Sequence, residues 1–145
     1  MAIGFSFSRR ADQGTPSGFD LGDMEISGAG GSASSAGRQP DQGMMIFLSV
    51  ALLLDQIRQL LSAGRGSVAY CGVDSSFQVR FTVRKGEITA AESGREIEKL
   101  PVQDFITALL AATDDFADRE LDKLPESDPA RADLLLSLAD FRKLA

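Results

Sequence analysis

Apolar and small polar residues alternate over residues 3–8, with Ile3, Phe5 and Phe7 on one side and Gly4, Ser6 and Ser8 on the other. This period of two predicts a short strand. Leu21 to Ser27 is a second strand candidate, inside a stretch (9–43) rich in Gly, Ser, Asp and Gln. The run from Gly28 to Gly37 is of low complexity, and residues 28–43 read as a flexible loop. Met44 to Leu48 reads as a buried strand, after which Ser49 offers an N-cap. From Val50 the spacing turns helical: Val50, Leu53, Leu54, Ile57, Leu60 and Leu61 share a face and Gly64 follows as a stop signal. Leu52 falls on the opposite face, so this helix is expected to be covered on both sides or to meet a partner.

Val68 to Val73 predicts a strand, followed by an Asp74-Ser75 turn. Phe77, Val79, Phe81 and Val83 then alternate with Gln78, Arg80, Thr82 and Arg84. Lys85-Gly86 is a tight turn, and Ile88 and Ala90 continue the alternation, so an antiparallel meander with one wet face is expected. Pro101 fits the first turn of a helix whose stripe is Val102, Phe105, Ile106, Leu109, Leu110, Thr113 and Phe116. Asp128-Pro129 opens a last helix, with Leu134, Leu135, Leu138 and Phe141 as its buried face. Strands followed by helices predict a single α+β domain over residues 1–145: a mostly antiparallel sheet with about three helices packed on one face.

Composition narrows what such a domain does. The chain has 145 residues and a net charge of -6, from 15 basic and 21 acidic side chains. Without a basic run, neither nucleic acid nor an anionic membrane surface is an expected partner, whereas a basic protein is. Cys71 is the single cysteine, read as a buried structural thiol, and no intrachain disulfide can form; a reducing cytoplasm is expected. Arg9-Arg10 is followed by Ala11-Asp12-Gln13-Gly14 instead of the apolar region an export signal requires. The apolar run from Met44 to Leu54 is shorter than the about 20 residues of a spanning helix, and it predicts core.

Candidate chemistry is sparse. No histidine is present, which removes the usual general base and the commonest zinc ligand. Neither Gly28-Ala29-Gly30-Gly31 nor Gly64-Arg65-Gly66 has the spacing of a phosphate loop. Asp114-Asp115-Phe116-Ala117-Asp118 resembles the aspartate-rich motif of prenyl-diphosphate synthases and terpene cyclases, which holds Mg²⁺ on a diphosphate. Those families need a large all-helical cavity, and the strands exclude one. No cofactor and no catalysis are therefore expected. An enzyme would have to rely on carboxylates, Arg80, Arg84 or Lys85 with a metal or a bound cofactor.

At 100° per residue, Asp104, Asp115, Asp118 and Asp122 fall in a narrow arc opposite the apolar stripe, with Arg119 the one compensating charge nearby. This acidic ridge is the first candidate partner-binding surface. The wet strand face bearing Arg80 and Arg84 is the second. By its size, acidity and α+β pattern the chain resembles small bacterial immunity proteins. The resemblance implies an antitoxin-like inhibitor whose carboxylates occlude a basic site on a partner protein such as a toxin. The competing expectation is a structural or adaptor subunit, in which Leu52, Met44-Met45 and a sheet edge mediate homo-oligomer formation or assembly into a larger complex.

Overall fold

The computed structural model describes residues 2–145. The alternation at the N-terminus forms β1 (Gly4–Arg9), which pairs antiparallel with β2 (Leu21–Gly28) so that Phe7 lies opposite Met24 and Phe5 opposite Ile26. The Gly/Ser run is not loop throughout. Ala29-Gly30 turns the chain into β3 (Gly31–Ser34), which returns antiparallel to β2 and buries Ala33 and then Ser35. The Ser35 hydroxyl accepts from the Met24 N–H and donates to Asp23, so the small polar side chains satisfy the local backbone and let it lie close. Arg10 forks between Asp23 and Asp41, tying the rest of this segment to the sheet, and its guanidinium holds both carboxyls below the usual range.

The expected strand at Met44–Leu48 is only β4 (Met44–Met45), paired with Leu21 and Gly22 of β2. Helix α1 (Ile46–Ala63) starts earlier than Ser49. No side chain caps it; the Ile46 N–H bonds the Asp20 carbonyl instead. Ser49 is thus a buried helical residue, not a cap. Its hydroxyl accepts from the Val73 N–H (2.9 Å) and its carbonyl accepts from the Tyr70 hydroxyl (2.8 Å). α1 is long and apolar enough to cross a membrane by length and composition, and half of it is buried within this fold.

A second four-stranded sheet is a simple antiparallel meander: β5 (Gly66–Cys71), β6 (Gln78–Arg84), β7 (Glu87–Glu92) and β8 (Arg95–Pro101), in that order. Both two-residue turns, Lys85-Gly86 and Ser93-Gly94, hold positive φ at each position, the twist that a tight hairpin needs. Val79, Phe81, Val83, Ile88 and Ala90 point inward. Cys71 is exposed, contrary to the expectation of a buried thiol. Tyr70, with none of its surface exposed, takes the inward position, so its neighbour in the strand faces out.

Pro101 ends β8 and precedes α2 (Val102–Glu120). A short 3-10 turn (Leu121–Lys123) leads to α3 (Pro129–Arg142), where Asp128 caps the Ala130 N–H and Pro129 occupies the first turn. Leu134, Leu138 and Phe141 are buried as expected, but Leu135 is exposed. The fold is α+β with two antiparallel sheets in place of one. α1 packs against strands of both sheets, α2 against β1, β7 and β8, and α3 against α1 and α2, so the third helix rests on the other helices and not on a sheet face. Phe105 of α2 meets Phe5 of the first sheet at 5.4 Å and Phe81 of the second at 5.7 Å, both edge to face, so one core serves both sheets.

Candidate functional site

The structure does not assemble the acidic ridge as a single uncompensated surface. Asp104, Asp115 and Asp118 are exposed on α2, but the helix stops at Glu120, and Asp122 lies in the following 3-10 turn. Asp115 is bound by Arg119 at 3.0 Å, and Asp122 faces Arg131 at 3.4 Å. Arg142 forks onto Asp114, which splits the aspartate-rich pentapeptide between two cations on different helices. Among the described residues only Asp104 and Asp118 of the four ridge aspartates have no ion pair, and no His/Cys/Asp/Glu group is placed to hold a metal ion.

Arg80 and Arg84 are both exposed on the outer face of β6, but they stand apart. Arg84 lies opposite Glu87 at the turn end, with Lys85 beside it in the turn. Arg80 has Ala69 and Ala91 as its cross-strand neighbours, small side chains that leave its guanidinium open. It lines a polar groove of about 400 Å³ with Gln78, Glu92 and, from the 35–43 segment, Arg38 and Gln42. Arg38 is drawn to Glu92 at 3.3 Å, so the groove holds one open cation beside one neutralised pair.

The third surface was not legible as a site in the sequence. A groove of about 360 Å³ between α1 and α3 is lined by Leu48, Leu52, Val73 and Leu136 together with half-buried Asp55 and exposed Asp133. Leu136 is 63% exposed, and Leu48 and Leu52 are half-buried. The loop at 17–20 secures the start of both helices. Its Asp20 carbonyl accepts from Ile46, and Asp128 accepts from the Gly18 N–H at 2.8 Å. Between these two anchors stands Phe19, 70% exposed. A single exposed leucine is unremarkable on a protein surface; the informative pattern is that exposed Leu136 shares a groove with half-buried Leu48, Leu52 and Val73.

The phase of Leu52 on α1 implies either cover on both sides of the helix or a partner; the side chain is half-buried against the core and lines this groove. The sequence pattern singles out neither Asp55 nor Leu136, assigns Leu48 to a buried strand, and shows Asp133 only as one of several acidic side chains of the C-terminal region. The signal for Leu136 is the uninterrupted Leu134-Leu135-Leu136 run, since one helix face cannot bury three consecutive residues. The Met44-Met45 pair offers no comparable surface, because Met44 is fully buried. The chain matches no family model, no curated protein and no solved structure.

Proposed function

We propose that the protein is a non-catalytic binding module that seats an apolar, basic segment of a partner protein in the groove between α1 and α3. The observation that carries this reading is that exposed Leu136 and half-buried Leu48 and Leu52 line one groove with two carboxylates, Asp55 and Asp133. Apolar side chains in a groove supply the affinity, and acidic groups beside them steer a basic partner and set its register. Asp133 has no ion pair among the described residues, and Asp55 has only Arg58 at 3.9 Å. The net charge of -6 draws the same kind of partner from a distance. The inhibitory role implied by the resemblance to immunity proteins fits this surface better than the α2 aspartates, because two of those four already hold cations of the chain itself.

The test is capture of a partner from lysate of the source organism, compared across variants. Leu136→Asp, on an exposed position, leaves the fold intact and is expected to weaken capture about tenfold or more, the equivalent of about 1.4 kcal/mol. Asp55→Asn with Asp133→Asn is expected to weaken it at low salt and to make little difference at high salt. Neutralising Asp104, Asp115, Asp118 and Asp122 together is expected to leave it unchanged. A partner that survives Leu136→Asp and is lost with the four α2-side aspartates would return the binding surface to the acidic ridge.

A further inference from the structure

A sheet edge carries unpaired backbone groups, and proteins blunt such edges with charge, proline, bulges or a covering element. Three edges here are managed in that way. The edge of β1 is covered by α2, whose Arg119 donates to the Phe7 carbonyl at 2.9 Å. β3 has only four residues, and Arg95 donates to its Ser32 carbonyl. β8 is closed by the β2–β3 turn, where the Gly30 N–H bonds the Ile97 carbonyl at 2.8 Å. β5 is different. It lies at the end of its sheet, and its sequence Gly-Ser-Val-Ala-Tyr-Cys holds no charge and no proline, with no bulge toward β6; α1 packs against it and accepts from the inward Tyr70 hydroxyl, but no α1 group bonds its edge backbone.

The direction of its free groups follows from one bond. The Gly72 N–H donates to Phe77 across the β5–β6 ladder, so by alternation Val68 and Tyr70 also bond inward to β6. Ser67, Ala69 and Cys71 therefore aim their N–H and C=O groups away from the sheet. None of these backbone groups has a partner among the described residues. Beyond Cys71 the edge is closed again, because Val73 donates to Ser49 and accepts from Met45. The free stretch thus has the length of one short strand.

We propose that a second copy of this chain fills it, β5 pairing antiparallel with β5 across a two-fold axis to make a continuous eight-stranded sheet. Backbone alternation restricts the pairing to outward-directed residues, and the register centred on Ala69 is the one that uses all three of them on both copies. Ala69 faces Ala69 of the second copy, and Ser67 faces Cys71 in both directions, giving about six interchain hydrogen bonds at two per bonded pair. A copy of the chain fits on charge as well. The contact strand is neutral in a protein of net charge -6. Arg65 precedes it and Asp74 follows it, both exposed and without ion pairs among the described residues. Antiparallel pairing brings each arginine near the second copy's aspartate at either end. The strand also ends on both copies where the next contact would collide with Met45 and Ser49.

The pairing is independent of the α1–α3 groove, and its test reads the register directly. Directly opposed residues in a bonded antiparallel pair have Cα atoms about 5.5 Å apart, within disulfide reach. Ser67 and Cys71 of one chain are four residues apart along an extended strand and cannot bridge. Under mild oxidation Ser67→Cys is expected to yield a disulfide-linked dimer through native Cys71. The unaltered protein, and Ser67→Cys combined with Cys71→Ser, are expected to yield none. Sedimentation of the unaltered protein is expected to show the 15.5 kDa mass doubling as concentration rises. Ala69→Pro is expected to abolish that doubling, and Ala69→Lys, which faces like charges across the axis without touching the backbone, to weaken it. A monomer at every concentration, or a Ser67→Cys protein that stays uncrosslinked while the unaltered protein dimerises, would overturn the proposal.

Discussion

Tyr70 and Ser49 show how much one buried polar pair organises. Tyr70 is the single tyrosine of the chain, and tryptophan is absent, so its ionisation is read without interference. Its ring lies wholly inside, and the hydroxyl donates to the Ser49 carbonyl. Burial pushes the phenol well above its ordinary value, because phenolate in the interior loses the solvation it has in water. The sign follows. A group whose folded pKa is raised contributes stability that is fully present below the unfolded value of about 10 and is lost as pH rises beyond it. Phenolate absorbance in the near ultraviolet is expected to stay flat through pH 10 and then to appear together with the loss of tertiary signal. A smooth titration near pH 10 with the fold intact would place the ring in water. Ser49 itself was legible only as a cap, since Ser before an apolar helical stripe is the usual signal for one. The use of its hydroxyl by Val73, 24 residues on, is a tertiary fact with no local trace.

At the scale of elements, what could be read and what could not separate by whether the pattern fixed a phase. β6 alternates cleanly, and both its strand character and its wet face followed from that. β5 holds Val68, Ala69, Tyr70 and Cys71 in succession, all apolar, so nothing in the run told which residues face in; Cys71 was placed on the wrong side for that reason. β8 was missed because Glu98 is buried next to Ile97, and the register shift between Ala90 and Ala91 breaks the period. β3 was hidden by composition: its role needs backbone proximity, not side-chain mass. Gly30 makes that concrete. A Cβ there would lie 2.1 Å from the Glu96 carbonyl oxygen, on the backbone that the Gly30 N–H bonds. Gly30→Ala is expected to destabilise the protein by about 1–3 kcal/mol, the usual cost of forcing extra volume into a closed contact. In hydrogen exchange, protection is expected to fall first at residues 28–34 and 96–98. Unchanged protection there would mean that the turn is not held against β8. The acidic arc on α2 is shortened at this scale too: Asp104, Asp115 and Asp118 stay exposed on the helix, but 100° per residue does not hold past Glu120, so Asp122 falls in the following turn.

For the molecule as a whole, two separate sheets raise the question of whether they unfold together. The aromatic contacts argue that they do. Phe105 touches Phe5 on one sheet and Phe81 on the other, while Phe116 touches Phe7 of β1 and Phe47 of α1, the helix that also packs on β5 and β6. Neither sheet has an apolar layer of its own that excludes the other, and a sheet of four short strands without its helix layer has nowhere to bury its inner face. Phe105 is fully buried, so Phe105→Ala removes packing from both sheets at one point and leaves a cavity. A loss of about 3–5 kcal/mol is expected. Because the residue belongs to both halves, the denaturant midpoint monitored by Tyr70, in the second sheet, is expected to fall by the same amount as that monitored by exchange of the Ser8 and Ile26 amides in the first, both of which are bonded in its ladders. The slope is expected to hold, since the surface exposed on unfolding is nearly the same. Two midpoints that separate in the variant would show instead that each sheet, with its own helix, is an independent folding unit joined only through the β2–β3 turn.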